Sequence, residues 1–159
     1  MTLSQFTLCA VFALGAATLT RPGPANAEHR SASSIPEADL IEPADFARSL
    51  QVSAGQKPLV LQVGFRTLYV QAHIPDSEYA GPANEGAGLD TLRKRVAAVP
   101  KDSLVVIYCG CCPWTHCPNV AAAYDALRSL GFTRVKVLHI SEDFGTDWVD
   151  KGYPVATGQ

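Results

Sequence analysis

Four of the chain's five cysteines fall within nine positions: Cys109, Cys111, Cys112 and Cys117, in the stretch VVIYCGCCPWTHCPNVAAAY from Val105 to Tyr124. Thiols so crowded can supply a nucleophile, a disulfide or a soft-metal cage. Cys109 to Cys112 forms a C-x-x-C followed by Pro113 and Trp114, and Cys117 stands directly before Pro118. A second thiol beside a nucleophilic one can resolve a persulfide or mixed disulfide by exchange, a role open to Cys112 and Cys117. A bridge inside so short a loop closes little chain and stabilises the fold little, so the thiols point to chemistry or local shape. Of the three full pairings, Cys109–Cys112 with Cys111–Cys117 is the least strained. A half-oxidised Cys112–Cys117 bridge leaves Cys109 free, and the sequence does not choose between these. Structural zinc sites usually draw on two separated C-x-x-C pairs. Here three thiolates with His116 or His73 could instead hold a soft ion such as Cu(I). The leading reading assigns no metal and no cofactor.

The elements around the loop explain why Cys109 comes first among the four. SLVVIYC, residues 103–109, is a continuous apolar run of the kind a strand buried on both faces requires. PLVLQVG (58–64) is another, and RVKVLHI (134–140) a third in which Arg134 and Lys136 alternate with valines. Between them, LDTLRKRVAAV places Leu89, Leu92, Val96 and Val99 at helical spacing, with Pro100 as the stop. NVAAAYDALRSLG does the same with Val120, Tyr124, Leu127 and Leu130, closed by Gly131. EPADFARSL predicts a short earlier helix with Pro43 in its first turn. Alternating strands and helices imply right-handed crossovers and a parallel sheet, in which ligands gather beyond the carboxyl ends of the strands. Cys109 is at such an end and leads toward a helix, where free N–H groups lower a thiol pKa. Pro118 suits the first helical position, making Cys117 the expected N-cap and a second place where a thiolate is favoured.

The chain resembles single-domain rhodanese-like proteins in four pieces: HIPDSEYAGP from His73, VVIYC ending at Cys109, AAAYDALRSLGFTRVKVL, and Trp148 followed by GYPV at Gly152–Val155. In order and spacing they cover roughly Pro58 to Val155. The resemblance implies an α/β three-layer domain with a five-stranded parallel sheet flanked by helices. It also implies a cysteine at position 109 that takes a sulfane sulfur from a donor and passes it to a nucleophilic acceptor. Two features depart from the family pattern. Its D-x-R falls on Gln62, Val63 and Gly64, with Arg66 nearby as a substitute. Its short, Gly-rich, Arg-bearing loop is replaced by one about five residues longer that has Pro113, Pro118 and no Lys or Arg. Such a loop should hold a dianion such as thiosulfate poorly. His116 is its one titratable cation and is mostly neutral at physiological pH.

The front of the chain bears on the redox state of these thiols. FTLCAVFALGAATL, then RPGP, then ANA before Glu28 read as the apolar core, polar region and A-x-A end of a secretory signal, with cleavage after Ala27. The apolar run is shorter than the ~20 residues of a spanning helix, so no membrane span is expected after signal removal. Residues 1–27 are therefore expected to be a signal peptide, 28–41 a flexible linker and 42–159 the rhodanese-like domain. Localisation is expected to be periplasmic or secreted, where disulfides are permitted. The 159-residue chain has a formal charge of -2, near -3 once the leader is gone, so no basic excess suggests nucleic acid.

The leading functional expectation is a periplasmic sulfurtransferase or persulfide-carrying thiol protein with Cys109 as nucleophile. Cys112 and Cys117 are the candidate resolving thiols, and Gly110, Cys111, Trp114 and His116 are the remaining loop residues of the site. Its partners would be a small sulfur donor or protein thiol acceptor, with a periplasmic redox partner. The alternative is an inactive rhodanese-fold accessory module whose loop is locked by disulfides or a soft metal. A thiol–disulfide exchanger using Cys109 and Cys112 is weaker, because the helix begins near Cys117 rather than at the C-x-x-C. His73, His139 and Trp148 read as structural residues, while Trp114 reads equally as packing or as a lid over the thiols.

Overall fold

The apolar runs become the inner strands of one parallel sheet in the computed structural model, which describes residues 34–52 and 57–159. The elements in chain order are β1 (Leu40–Ile41), α1 (Pro43–Gln51), β2 (Leu59–Gln62), α2 (Arg66–Gln71), β3 (Glu78–Tyr79), α3 (Gly86–Val96), β4 (Leu104–Tyr108), α4 (Pro118–Ser129) and β5 (Arg134–Leu138). Short helical turns lie at Glu37–Asp39, Trp114–His116 and Gly145–Val149. The strand order is β1-β5-β4-β2-β3, with every pairing parallel. β4 is thus central, with Gln62 opposite Tyr108 on one side and Val137 opposite Ile107 on the other.

Alternation along β4 divides the core. Val105, Ile107 and Cys109 join Leu61, Val63, Leu92, Val96, Val120 and Leu127 on the face covered by α3 and α4. Val106 and Tyr108 join Val60, Phe46, Leu138, Phe144 and Trp148 on the other face. Successive strand side chains point to opposite faces, so the register that buries Val105 and Ile107 also aims Cys109 toward α4. α4 opens at Cys117 with Pro118 in its first turn. It closes through Gly131 at φ +89, where the Phe132 N–H donates to the Leu127 carbonyl (3.1 Å).

Several expectations shift. Leu130 is 38% exposed, because it is the C-cap of α4 rather than part of its buried face. The edge strands β1 and β3 and helix α2 carry no sequence pattern of their own, being six residues long or fewer. β1 and the turn before it lie inside the expected linker. Ile35 is buried, Leu40 and Ile41 pair with Val137 and Leu138, and Tyr124 donates its hydroxyl proton to Asp39 (2.5 Å). The sheet therefore takes in the last residues of that segment. The expected signal peptide and residues 28–33 lie outside the described residues. Among the described residues, no helix is long and apolar enough to cross a membrane.

Candidate functional site

The chain leaves β4 at Tyr108, whose carbonyl accepts from the Val63 N–H (2.8 Å), and turns at Gly110 with φ +85. Two buried polar side chains fix this exit. Gln62 donates from Nε2 to the Cys109 carbonyl (2.9 Å) and accepts the Gly64 N–H on Oε1 (3.2 Å). It occupies the first position of the absent D-x-R, and it anchors the loop by hydrogen bonds where that motif would supply a charge. Among the described residues Arg66 makes no ion pair; its guanidinium lies over the Tyr79 ring, 5.2 Å from the centroid. Asn119, in the first turn of α4, accepts the Asn84 N–H on Oδ1 (3.0 Å) and points Nδ2 at Cys109 Sγ (3.6 Å). The far side of the loop is pinned by Phe144 N–H to the Gly110 carbonyl (3.1 Å) and Trp114 N–H to the Ile140 carbonyl (2.8 Å).

These anchors bring the thiols together. Cys109 Sγ is 3.3 Å from Cys111 Sγ, which is 3.3 Å from Cys112 Sγ. The sulfurs of Cys109, Cys111 and Cys117 all lie within 4.8 Å of one another. Cys109 and Cys117 are buried, 3% and 1% exposed, while Cys111 and Cys112 are half-buried and all four are free thiols. Cys109 also borders a pocket of about 140 Å³ lined by Gln62, Leu68, Gln71, Tyr108, Phe144 and Val149 among others, none of them charged. Gly64 makes the close approach to the sulfur feasible, since a Cβ there would stand 2.5 Å from Cys109 Sγ.

The proton distribution differs from the expectation of a lowered Cys109 pKa. Cys111 is the thiol pulled down, because the Cys109 thiol hydrogen-bonds to it, and Cys117 and Cys112 add to the effect. Cys109 is pushed up, first because its own proton is held in the bond to Cys111 and further by burial, while Cys117 pulls the other way. Cys117 is also pushed up, by its bonds to Cys109 and then Cys111 and by burial, even though the Val120 N–H favours its thiolate. Cys112 is raised by desolvation and by Cys111. The direction of these shifts favours Cys111 as the thiolate of the group, because its sulfur is the one its neighbours' S–H groups face. The helix end, which sequence reasoning credited, is outweighed by the sulfur contacts.

The other candidates fall outside this cluster or support it. His116 is exposed, its Nδ1 within 2.9 Å of Thr115 Oγ1. His73 is buried with Nδ1 against the Tyr69 carbonyl (2.7 Å), a structural role as expected. His139 pairs with Glu42, and Trp114 meets it edge-on at 5.8 Å while packing against the core, so Trp114 braces the loop. Trp148 is fully buried and donates to the Pro154 carbonyl (2.8 Å). Sequence reasoning missed Asn119 and Gly64; an Asn directly after Cys117-Pro118, at the start of an otherwise apolar helix face, was the available signal for the first.

No protein-family model matches the sequence, and none of the curated proteins is similar to it at a significant level. Solved structures do match. The rhodanese-like domain of the Alr3790 protein from Anabaena sp. is 18% identical over 75% of this chain and 79% of that one, with a TM-score of 0.55. The BH2092 protein from Bacillus halodurans is 20% identical over 74% and 75%, with a TM-score of 0.56. A rhodanese-like domain protein from Staphylococcus aureus is 13% identical over 75% and 99%, with a TM-score of 0.50. With its β1-β5-β4-β2-β3 parallel sheet and a cysteine loop leaving the central strand, the chain has the rhodanese-like fold.

Proposed function

We propose that this domain transfers sulfane sulfur, with Cys109 as the carrier and the neighbouring thiols managing its proton and its release. The observation that carries the reading is the position of Cys109. It leaves the central strand, touches the Cys111 sulfur at 3.3 Å, and borders an uncharged pocket. In the loading step the Cys109 sulfur attacks the outer sulfur of a persulfide R–S–SH. The Cys109 proton passes to the Cys111 thiolate, a new S–S bond forms, and R–S⁻ leaves with the electron pair of the broken bond. Cys109 then carries –S–SH. Unloading follows when an acceptor nucleophile takes the outer sulfur. Alternatively one of the expected resolving thiols, Cys117 or Cys112, attacks the inner sulfur, expelling HS⁻ and leaving a disulfide that a partner dithiol must reduce.

The uncharged pocket and the lack of Lys or Arg in the loop favour a persulfide or polysulfide donor over dianionic thiosulfate. Export to the periplasm is part of the same proposal and rests on the leader-like residues 1–27. The test is the intact mass of the reduced protein after exposure to a small persulfide or to thiosulfate, with peptide mapping. Gain of one sulfur on the Cys109 peptide, faster from the persulfide, is expected. A Cys109→Ser protein that gains sulfur equally well sinks the assignment. A mature N-terminus other than Glu28 in the exported fraction sinks the leader reading.

A further inference from the structure

The sulfur-transfer reading uses two or three of the loop's thiols in sequence, yet the structure holds three together at once. Among the described residues, Cys109, Cys111 and Cys117 form the one group of three or more His, Cys, Asp or Glu side chains whose donor atoms converge. We propose that these three cysteines form a trigonal site for a monovalent soft cation, Cu(I). Metal–sulfur bonds of about 2.3 Å arranged in a plane put the sulfurs about 4 Å apart. The observed separations, 3.3 Å for one pair and at most 4.8 Å for any, bracket that edge. Thiolates without nitrogen or oxygen partners select soft ions.

Zn(II) would need a fourth ligand. The histidines considered from sequence do not supply it, since His116 is turned to Thr115 and His73 is held by Tyr69. Cys112 Sγ reaches Cys111 (3.3 Å) and also meets Cys117, but it does not lie within 4.8 Å of all three sulfurs and so is not part of the three-way cluster. Binding releases the thiol protons to solvent and involves no change in oxidation state. Three thiolates around Cu(I) keep excess negative charge, which falls at the N-terminus of α4 and beside Asn119 Nδ2. The site shares Cys109 with the sulfur carrier, so bound Cu(I) and a Cys109 persulfide exclude each other.

The test is an anaerobic titration of the reduced full-length protein against the bicinchoninate complex of Cu(I), followed by the chelator's colour. Withdrawal of one equivalent is expected. Cys111→Ser and Cys117→Ser should each weaken binding by at least the roughly 10–100-fold that loss of an outer-shell partner costs, whereas Cys112→Ser should stay within about threefold. Cys117→Ser is informative because serine is a good N-cap, so far-UV circular dichroism should show α4 intact. No copper withdrawn by the reduced wild-type protein overturns the proposal. Binding indifferent to both substitutions overturns the ligand set. Zn(II) held as tightly as Cu(I), and lost on Cys112→Ser, shows a four-thiolate zinc site instead. Persulfide formation on Cys109 is measured without metal, so its success or failure is read independently.

Discussion

At the scale of single residues, the site is a contest between sulfur–sulfur contacts and the end of a helix, and the contacts win. A thiolate solvated by neighbouring S–H groups at 3.3 Å receives direct hydrogen bonds, whereas a helix terminus contributes up to about 2 kcal/mol in partly buried geometries. The lowered pKa of Cys111 keeps its reactive thiolate populated as pH falls below the ordinary thiol value of 9.0, while the raised Cys109 and Cys117 require more alkaline solution. Site-resolved iodoacetamide labelling of the reduced protein should therefore show Cys111 still alkylated in mildly acidic buffer and Cys109 lagging. Equal labelling of the two, or the reverse order, would contradict the proton arrangement. Asn119 offers a second reading of the same site. Asn119→Ala leaves the Asn84 N–H without its partner and removes the donor facing Cys109. It should cost about 0.5–1.5 kcal/mol of stability in a urea melt and slow persulfide loading. A variant as stable and as fast as the parent would show that Asn119 does neither job.

At the scale of elements, the sequence was legible wherever an element is long enough to carry a period. β4 declared itself because Leu104 to Tyr108 is buried on both faces, and α3 because Leu92 and Val96 return every four residues. β1 and β3 are two residues long, too short for alternation, and exist because β5 and β2 offer them hydrogen-bonding edges. The candidate loop was legible in its residue types and in its place at the end of β4. Its charge distribution was not, because that depends on which sulfurs meet across a turn. The turn itself tests this placement. Gly64→Ala puts a methyl group 2.5 Å from the Cys109 sulfur, whereas a methyl group on Gly86, the first residue of α3, would meet nothing within 4 Å. Gly86→Ala should be neutral or stabilising by up to about 1 kcal/mol. Gly64→Ala should lower the melting temperature and reduce sulfur uptake at Cys109. Equal behaviour of the two would mean that the close approach of Gly64 to Cys109 is not present in solution.

At the scale of the whole molecule, the two faces of the sheet have separate tasks. The face beneath α3 and α4 aims Cys109 at the thiol cluster, and the opposite face, built on Phe46, Tyr108, Phe144 and Trp148, supports the pocket wall. Both depend on β5, just after which Ile140 holds the loop through its carbonyl, and which is itself flanked on its outer edge by β1. The expected domain boundary at residue 42 would remove β1, the buried Ile35 and the Asp39 contacts to Tyr124 and Lys136. A chain beginning at Glu42 should thus be less stable than one beginning at Glu28, by at least the roughly 1.5–3 kcal/mol that burial of one Ile side chain provides. The loss should appear as a lower urea midpoint, and the loop thiols should alkylate faster as β5 loses its neighbour. Identical midpoints for the two chains would mean that residues 34–41 lie on the sheet without holding it, and that the functional unit begins at the first helix.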